Sequence, residues 1–181
     1  MKKRRLLAFA AAFTTAAALL AGCASAPTPA DYSTEKPVLD LKAYFNGPMA
    51  AHGLFTDRSG KVVRRFTVQM TGSWSGNQGV LDERFTYSDG KTERRVWKLT
   101  DEGNGRWSGR ADDVVGVAEG RAAGNALNWR YTLNLPVDGK VYEVQFDDWM
   151  YLMDDKVMLN KAVMSKFGIY LGEVTLSFTK P

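Results

Sequence analysis

One cysteine and one histidine in 181 residues leave little room for the commonest catalytic and metal chemistry. With Cys23 alone, neither an intrachain disulfide nor a Cys-based metal site can form. With His52 alone, a multi-histidine metal site is excluded and a His-based triad has a single position to draw on; beside Gly53, His52 reads as an ordinary strand or loop residue. The chain has no G-x-G-x-x-G and no P-loop to cradle a nucleotide phosphate, and none of its aspartates has the D-x-D-x-D-G spacing of a calcium loop. No cofactor, metal or catalytic residue is therefore expected. An enzyme built on this chain would have to use carboxylates, Tyr or Arg, with Asp112, Asp113, Asp147 and Asp148 as its candidate acids.

What is present begins with a leader. Lys2, Lys3, Arg4 and Arg5 precede an apolar run, Leu6 to Leu20, that is too short to span a bilayer and ends in small residues. The run closes on Leu20-Ala21-Gly22-Cys23, which resembles a bacterial lipobox. That resemblance implies a signal peptide over residues 1–22, its removal, and acyl chains on Cys23 that anchor the protein to a membrane. Ala24 follows the cysteine, which points to the outer membrane, periplasmic face. Of the 24 Lys and Arg, four lie in the leader, so the mature chain carries 20 of each sign and is formally neutral. A basic-patch argument for a nucleic-acid partner disappears with the leader.

After Cys23, "ASAPTPADYSTEK" reads as a flexible tether over residues 23–36. Pro37 to Gly47 predicts a short helix with Pro at its first position and Asn46-Gly47 as its stop. Beyond it nearly every segment alternates apolar and polar residues with period two. Turn signals such as Asp57-Arg58-Ser59-Gly60, Ser88-Asp89-Gly90 and Val137-Asp138-Gly139 divide the chain into about ten strands. A sequence of hairpins without long crossovers predicts an all-β fold over residues 37–181, a single up-and-down antiparallel barrel of about 8–10 strands, which removes its edges by closing. A β-sandwich is the alternative. Polar residues at the outward positions Thr67, Gln69, Thr71, Asn128, Arg130, Thr132 and Asn134 exclude a transmembrane barrel.

Long blocks of the mature chain, "YFNGPMAAHGLFTDRSGKVVRRF", "DDVVGVAEGRAAGNA", "FDDWMYLMDD" and "NKAVMSKFGIYLGEVTLSF", resemble the bacterial lipoprotein family catalogued as domain of unknown function 3833. The resemblance implies an envelope lipoprotein with a lipocalin-like barrel. It implies no catalytic residue and leaves the ligand, if any, unspecified.

Three charges fall in phase with the apolar face of their strand: Arg64 in Val62-Arg64-Phe66-Val68-Met70, Glu83 in Leu81-Glu83-Phe85-Tyr87, and Arg95 in Glu93-Arg95-Trp97-Leu99. A charge on an inward face must be paired or serve a ligand. Arg64 or Arg95 could hold the head group of an acyl ligand whose tail lies along Phe66, Met70, Phe85, Trp97, Trp129 and Tyr131; the alternative is a structural Arg–Glu network. The repeated G-x-W-S-G at Gly72–Gly76 and Gly105–Gly109 reads as glycine-permitted bends that let an indole pack across a barrel end. Gly116, Gly120 and Gly124 read as bends or close approaches.

In "FDDWMYLMDD", Phe146 continues the apolar phase of Tyr142 and Val144, whereas Trp149, Tyr151 and Met153 take the opposite phase. A β-bulge at Asp147-Asp148 would reconcile the halves; without one, Asp148 shares a face with Phe146, Met150 and Leu152 and can meet Arg64 and Arg95. Asp154-Asp155 needs only a hairpin turn. The function expected is membrane-anchored binding or carriage of a lipidic or apolar ligand, with Arg64, Glu83, Arg95, Trp97, Trp129 and Asp148 as candidate ligand-binding residues. The alternatives are a structural or assembly lipoprotein that binds another envelope protein, and a carboxylate-based lipid-modifying enzyme.

Overall fold

A computed structural model describes residues 26–181 apart from Asp138. The leader and Cys23 lie outside these residues. Ten antiparallel strands follow in chain order: β1 Gly47–Asp57, β2 Val62–Ser75, β3 Gln78–Tyr87, β4 Thr92–Gly103, β5 Arg106–Arg110, β6 Val114–Ala123, β7 Ala126–Val137, β8 Lys140–Leu152, β9 Val157–Lys166 and β10 Ile169–Thr179. Each pairs with its neighbours in sequence, and β10 pairs with β1 to close the barrel. The expected turns carry the connections. Asp57 accepts from the backbone N–H groups of Ser59 and Lys61, and Asp154 from those of Lys156 and Val157, so these aspartates are turn residues.

The helix is shorter than predicted. It occupies only Leu41–Tyr44, because Asp40 caps it: its carboxylate accepts from Ala43 N at 3.0 Å, and Pro37 remains outside in a bend. Leu39 N donates to Gly124 O across the barrel end. Leu41, Tyr44 and Phe45 are buried, and Phe45 meets Phe178 edge-on at 5.9 Å, so this turn plugs one end. The plug needs a close approach: Gly72 of β2 lies beneath the Phe45 carbonyl, where a Cβ would stand 1.7 Å from the oxygen.

The segment read as a tether is also structured in part. Pro29–Tyr32 forms a 3-10 turn, closed by Asp31 accepting from the backbone N–H and hydroxyl of Thr28. Its Tyr32 packs on the outer wall against Trp149 at 5.8 Å and Tyr151 at 5.3 Å. That layer resolves the conflict of phase in "FDDWMYLMDD". No bulge forms at Asp147-Asp148, which pair in regular register with Arg130 and Trp129 on one side and with Val163 and Ala162 on the other. Phe146, Asp148 and Met150 face the lumen; of the bulky residues in the opposite phase, Trp149 and Tyr151 are partly covered from outside by Tyr32, and Met153 is exposed. A bulge occurs instead in β6, between Val115 and Glu119, where Gly116 takes a φ of +72°.

Candidate functional site

The lumen contains a cavity of about 390 Å³. Inward residues of nine strands, all but β6, line it, and the plug forms its floor through Leu41 and Phe45. All six side chains that the alternation pattern singled out, Arg64, Glu83, Arg95, Trp97, Trp129 and Asp148, face this one space. The lining is otherwise mainly aromatic and aliphatic. Tyr131 stacks on Phe146 at 4.9 Å, and Trp97 meets Trp129 edge-on at 5.7 Å. Trp129 fits because its neighbours are glycines: a Cβ at Gly109 or Gly120 would come within 2.8 Å or 2.4 Å of the indole.

Charged groups occupy two levels. At the mouth, the Arg64 guanidinium lies 3.5 Å above the Tyr87 ring and donates through Nη2 to both oxygens of Asp89 at 3.1 Å. Its Nε–H has no partner. The Tyr87 hydroxyl donates to Glu93 at 2.7 Å, and Lys91 also lines the opening. Deeper, Glu83 and Arg95 face each other across the β3–β4 ladder. Arg95 donates from Nε and Nη2 to Asp113 Oδ2 at 2.9 Å and 2.7 Å, while its Nη1 stands 4.0 Å from Glu83 Oε2, too far for a hydrogen bond. Across the lumen, the Asn160 amide donates to Asp148 Oδ1 and to Trp149 O. The expected Arg–Glu network thus exists, with Asp113 as its strongest acceptor.

Asn160 was absent from the sequence reading, and Asp113 was named there only as a candidate acid, not as a partner of Arg95. Asn160 sits in the inward phase of β9 with Met158 and Ala162, and the rule that exposed Arg64 would have found it. Asp113 lies in the turn between β5 and β6, where no periodicity operates. The two G-x-W-S-G motifs meet at the plugged end: Trp74 and Trp107 pack edge-on at 5.8 Å, Trp107 also lines the cavity, and Trp74 Nε1 donates to the Phe45 carbonyl at 3.2 Å. His52 is exposed on the outer wall. No cluster of metal-ligating side chains occurs among the described residues.

Residues 17–180 match the family model described as protein of unknown function (DUF3833). The chain belongs to that family. Among curated proteins there is no significant match to this DUF3833 protein. Among solved structures it is similar to the S-type phycobiliprotein lyase CPES from Guillardia theta, with a TM-score of 0.57 at 4% identity, over 75% of this chain and 88% of that one. It is also similar to a protein of unknown function from the DUF3598 family of Nostoc punctiforme, with a TM-score of 0.50 at 10% identity, over 81% of this chain and 51% of that one. At these identities the likeness concerns the fold, and the DUF3833 domain is a lipocalin-like barrel.

The lumen of this DUF3833 barrel perturbs its acids strongly. Burial pushes the Glu83 carboxyl up to about 7, with Arg95 opposing and Asp113 assisting. Burial likewise pushes Asp148 up to about 7, against the hydrogen bond from Asn160. Tyr131 is raised by burial and then by the Asp148 charge. A carboxyl whose folded pKa exceeds its unfolded value binds its proton more tightly when folded, so its stabilising contribution is complete below the unfolded pKa and is lost as pH rises to the folded one. Denaturant titrations should therefore show stability falling between about pH 4 and pH 7 by a few kcal/mol in total. Glu83→Gln combined with Asp148→Asn should flatten that slope. An unchanged slope would show that these two acids do not titrate in the lumen.

Proposed function

We propose that this protein binds an amphipathic, mainly apolar small molecule in its lumen and holds or carries it at a membrane surface. The observation that carries this reading is the cavity: a barrel serving only as scaffold has no need of an open lumen lined by Phe66, Phe85, Trp97, Trp129, Tyr131 and Phe146. Arg64 is the proposed contact for an anionic head group at the mouth. It stands at the opening and keeps an unpartnered Nε–H beside its pairing with Asp89, whereas Arg95 lies deeper and is turned towards Asp113. Exposed Val141, Phe167 and Ile169 on the hairpins around the mouth suit the entry of a lipidic ligand.

The lipobox supports acylation of Cys23 and residence at the outer membrane, facing the periplasm. Cys23 stands five residues before Thr28, where the chain joins the barrel wall, and these residues span at most about 18 Å. The barrel is accordingly held close to the bilayer. Metabolic labelling with a palmitate analogue should mark the wild type and not Cys23→Ala.

Ligand binding is tested with parinaric acid, whose fluorescence rises in an apolar site. Saturable binding to the full chain, weakened several-fold in Arg64→Ala, is the expected result. An absence of saturable binding by the wild type would overturn the lumen reading and favour a structural or assembly role.

A further inference from the structure

The deep end of the cavity has hydrogen-bond acceptors without donors. Glu83 is 8% exposed and Asn160 3%, yet Glu83 Oε2 and Asn160 Oδ1 have no hydrogen-bond partner although both residues line the lumen. The Asn160 amide has little freedom to reverse, because its nitrogen already donates to two oxygens, those of Asp148 and Trp149. The nearest cation, Arg95, is turned towards Asp113. Leaving a buried acceptor unpaired is unfavourable, and a wholly apolar ligand would leave the deficit in place.

We infer that the inner end of the lumen receives a hydroxyl or N–H group carried on the apolar body of the ligand, which donates to one of these acceptors, Glu83 Oε2 or Asn160 Oδ1. This rests on the lumen reading above and adds the chemistry of the inner end. Donors at the mouth, in the Arg64 Nε–H and Lys91, and acceptors at depth give the cavity a polarity. The ligand that matches it has an anionic or acceptor group outermost, an apolar middle and a donor innermost. A plain fatty acid satisfies the first two conditions and not the third. A second carboxylate at the inner end would face Glu83 and Asp148, with Asp113 nearby; of the lining cations, Arg64 and Lys91 stand at the mouth and Arg95 is turned towards Asp113. The raised pKa values of Glu83 and Asp148 accord with acids buried in an apolar lumen.

Displacement of parinaric acid from the full chain, purified in a mild detergent, separates the possibilities. The competitors are laurate, ω-hydroxylaurate, ω-aminolaurate and dodecanedioate. In an ordinary apolar pocket the added polar group weakens binding, since it must be desolvated without compensation. Here ω-hydroxylaurate and ω-aminolaurate should displace the probe at least about tenfold better than laurate, with dodecanedioate the weakest. At least one of Glu83→Leu and Asn160→Leu should reduce this preference while laurate binds as well as before or better, an effect that loss of fold would not produce. If laurate competes as well as its ω-hydroxy analogue, the inference fails and the lumen reading stands. If parinaric acid itself does not bind, both fail.

Discussion

Arg95→Leu is expected to cost about 3 kcal/mol of folding free energy in denaturant unfolding, because it leaves two partly or wholly buried carboxylates without their cation. Arg95 anchors Asp113 with two donors and faces Glu83 at 4.0 Å, and the three groups line a cavity with mainly apolar walls. The converse substitution should behave differently. Glu83→Leu removes an acceptor that lacks a hydrogen bond and leaves the Arg95–Asp113 pair intact, so its effect should lie within about 1 kcal/mol of the wild type. Adding Glu83→Leu and Asp113→Asn to Arg95→Leu should recover most of the loss, since a buried charge network can be exchanged for uncharged residues of similar size at little net cost. Additive losses on combining the three would show that the charges are individually stabilising and that the lumen is wetter than its lining suggests.

Gly72→Ala is expected to be as damaging, for a steric reason. The added methyl would stand 1.7 Å from Phe45 O and 2.8 Å from Phe45 C, both backbone atoms that cannot rotate away. Phe45 is fixed on both sides: its N–H donates to Leu41 O, and its carbonyl accepts from the Trp74 indole. To admit the methyl, the plug must lift from the barrel end and expose Leu41, Tyr44 and Phe45. A loss of about 3 kcal/mol, or roughly 6–12 °C in Tm for a domain of this size, is expected. Ser73→Ala, one position along on the exposed face, should change little. Equal melting temperatures for the two variants would mean that the plug is not seated as described.

These two results also mark what could be read from the sequence. Period-two alternation placed ten strands within a few residues, because a barrel wall with an apolar lumen and a wet exterior imposes that pattern on every strand. The same alternation exposed Arg64, Glu83 and Arg95 as charges in an apolar phase. At Asp147-Asp148 it misled, because Trp149 and Tyr151 face outwards and are half-buried under a second layer that begins at Pro29, a segment whose composition reads as a linker. A pattern rule assumes a single buried face; where the N-terminal segment covers the wall from outside, both faces are apolar and the phase carries no information. The pairing of Asp113, named only as a candidate acid, was illegible for another reason: its partner Arg95 lies 18 residues away on β4, and a turn has no period to violate. The plug was foreseen as a helix, although the close contact between Gly72 and Phe45 that seats it depends on tertiary geometry alone.

The central claim is that the lumen holds a ligand. It is tested most directly by mass spectrometry of organic extracts from the protein purified from its native membrane, alongside an Ala162→Phe variant in which a buried lumenal side chain is enlarged to fill the cavity. The account predicts one amphiphile, near equimolar with the wild type and depleted from Ala162→Phe, that carries a hydroxyl or N–H group remote from its anionic end. Extracts of the wild type indistinguishable from those of an unrelated lipoprotein prepared in the same way would contradict it.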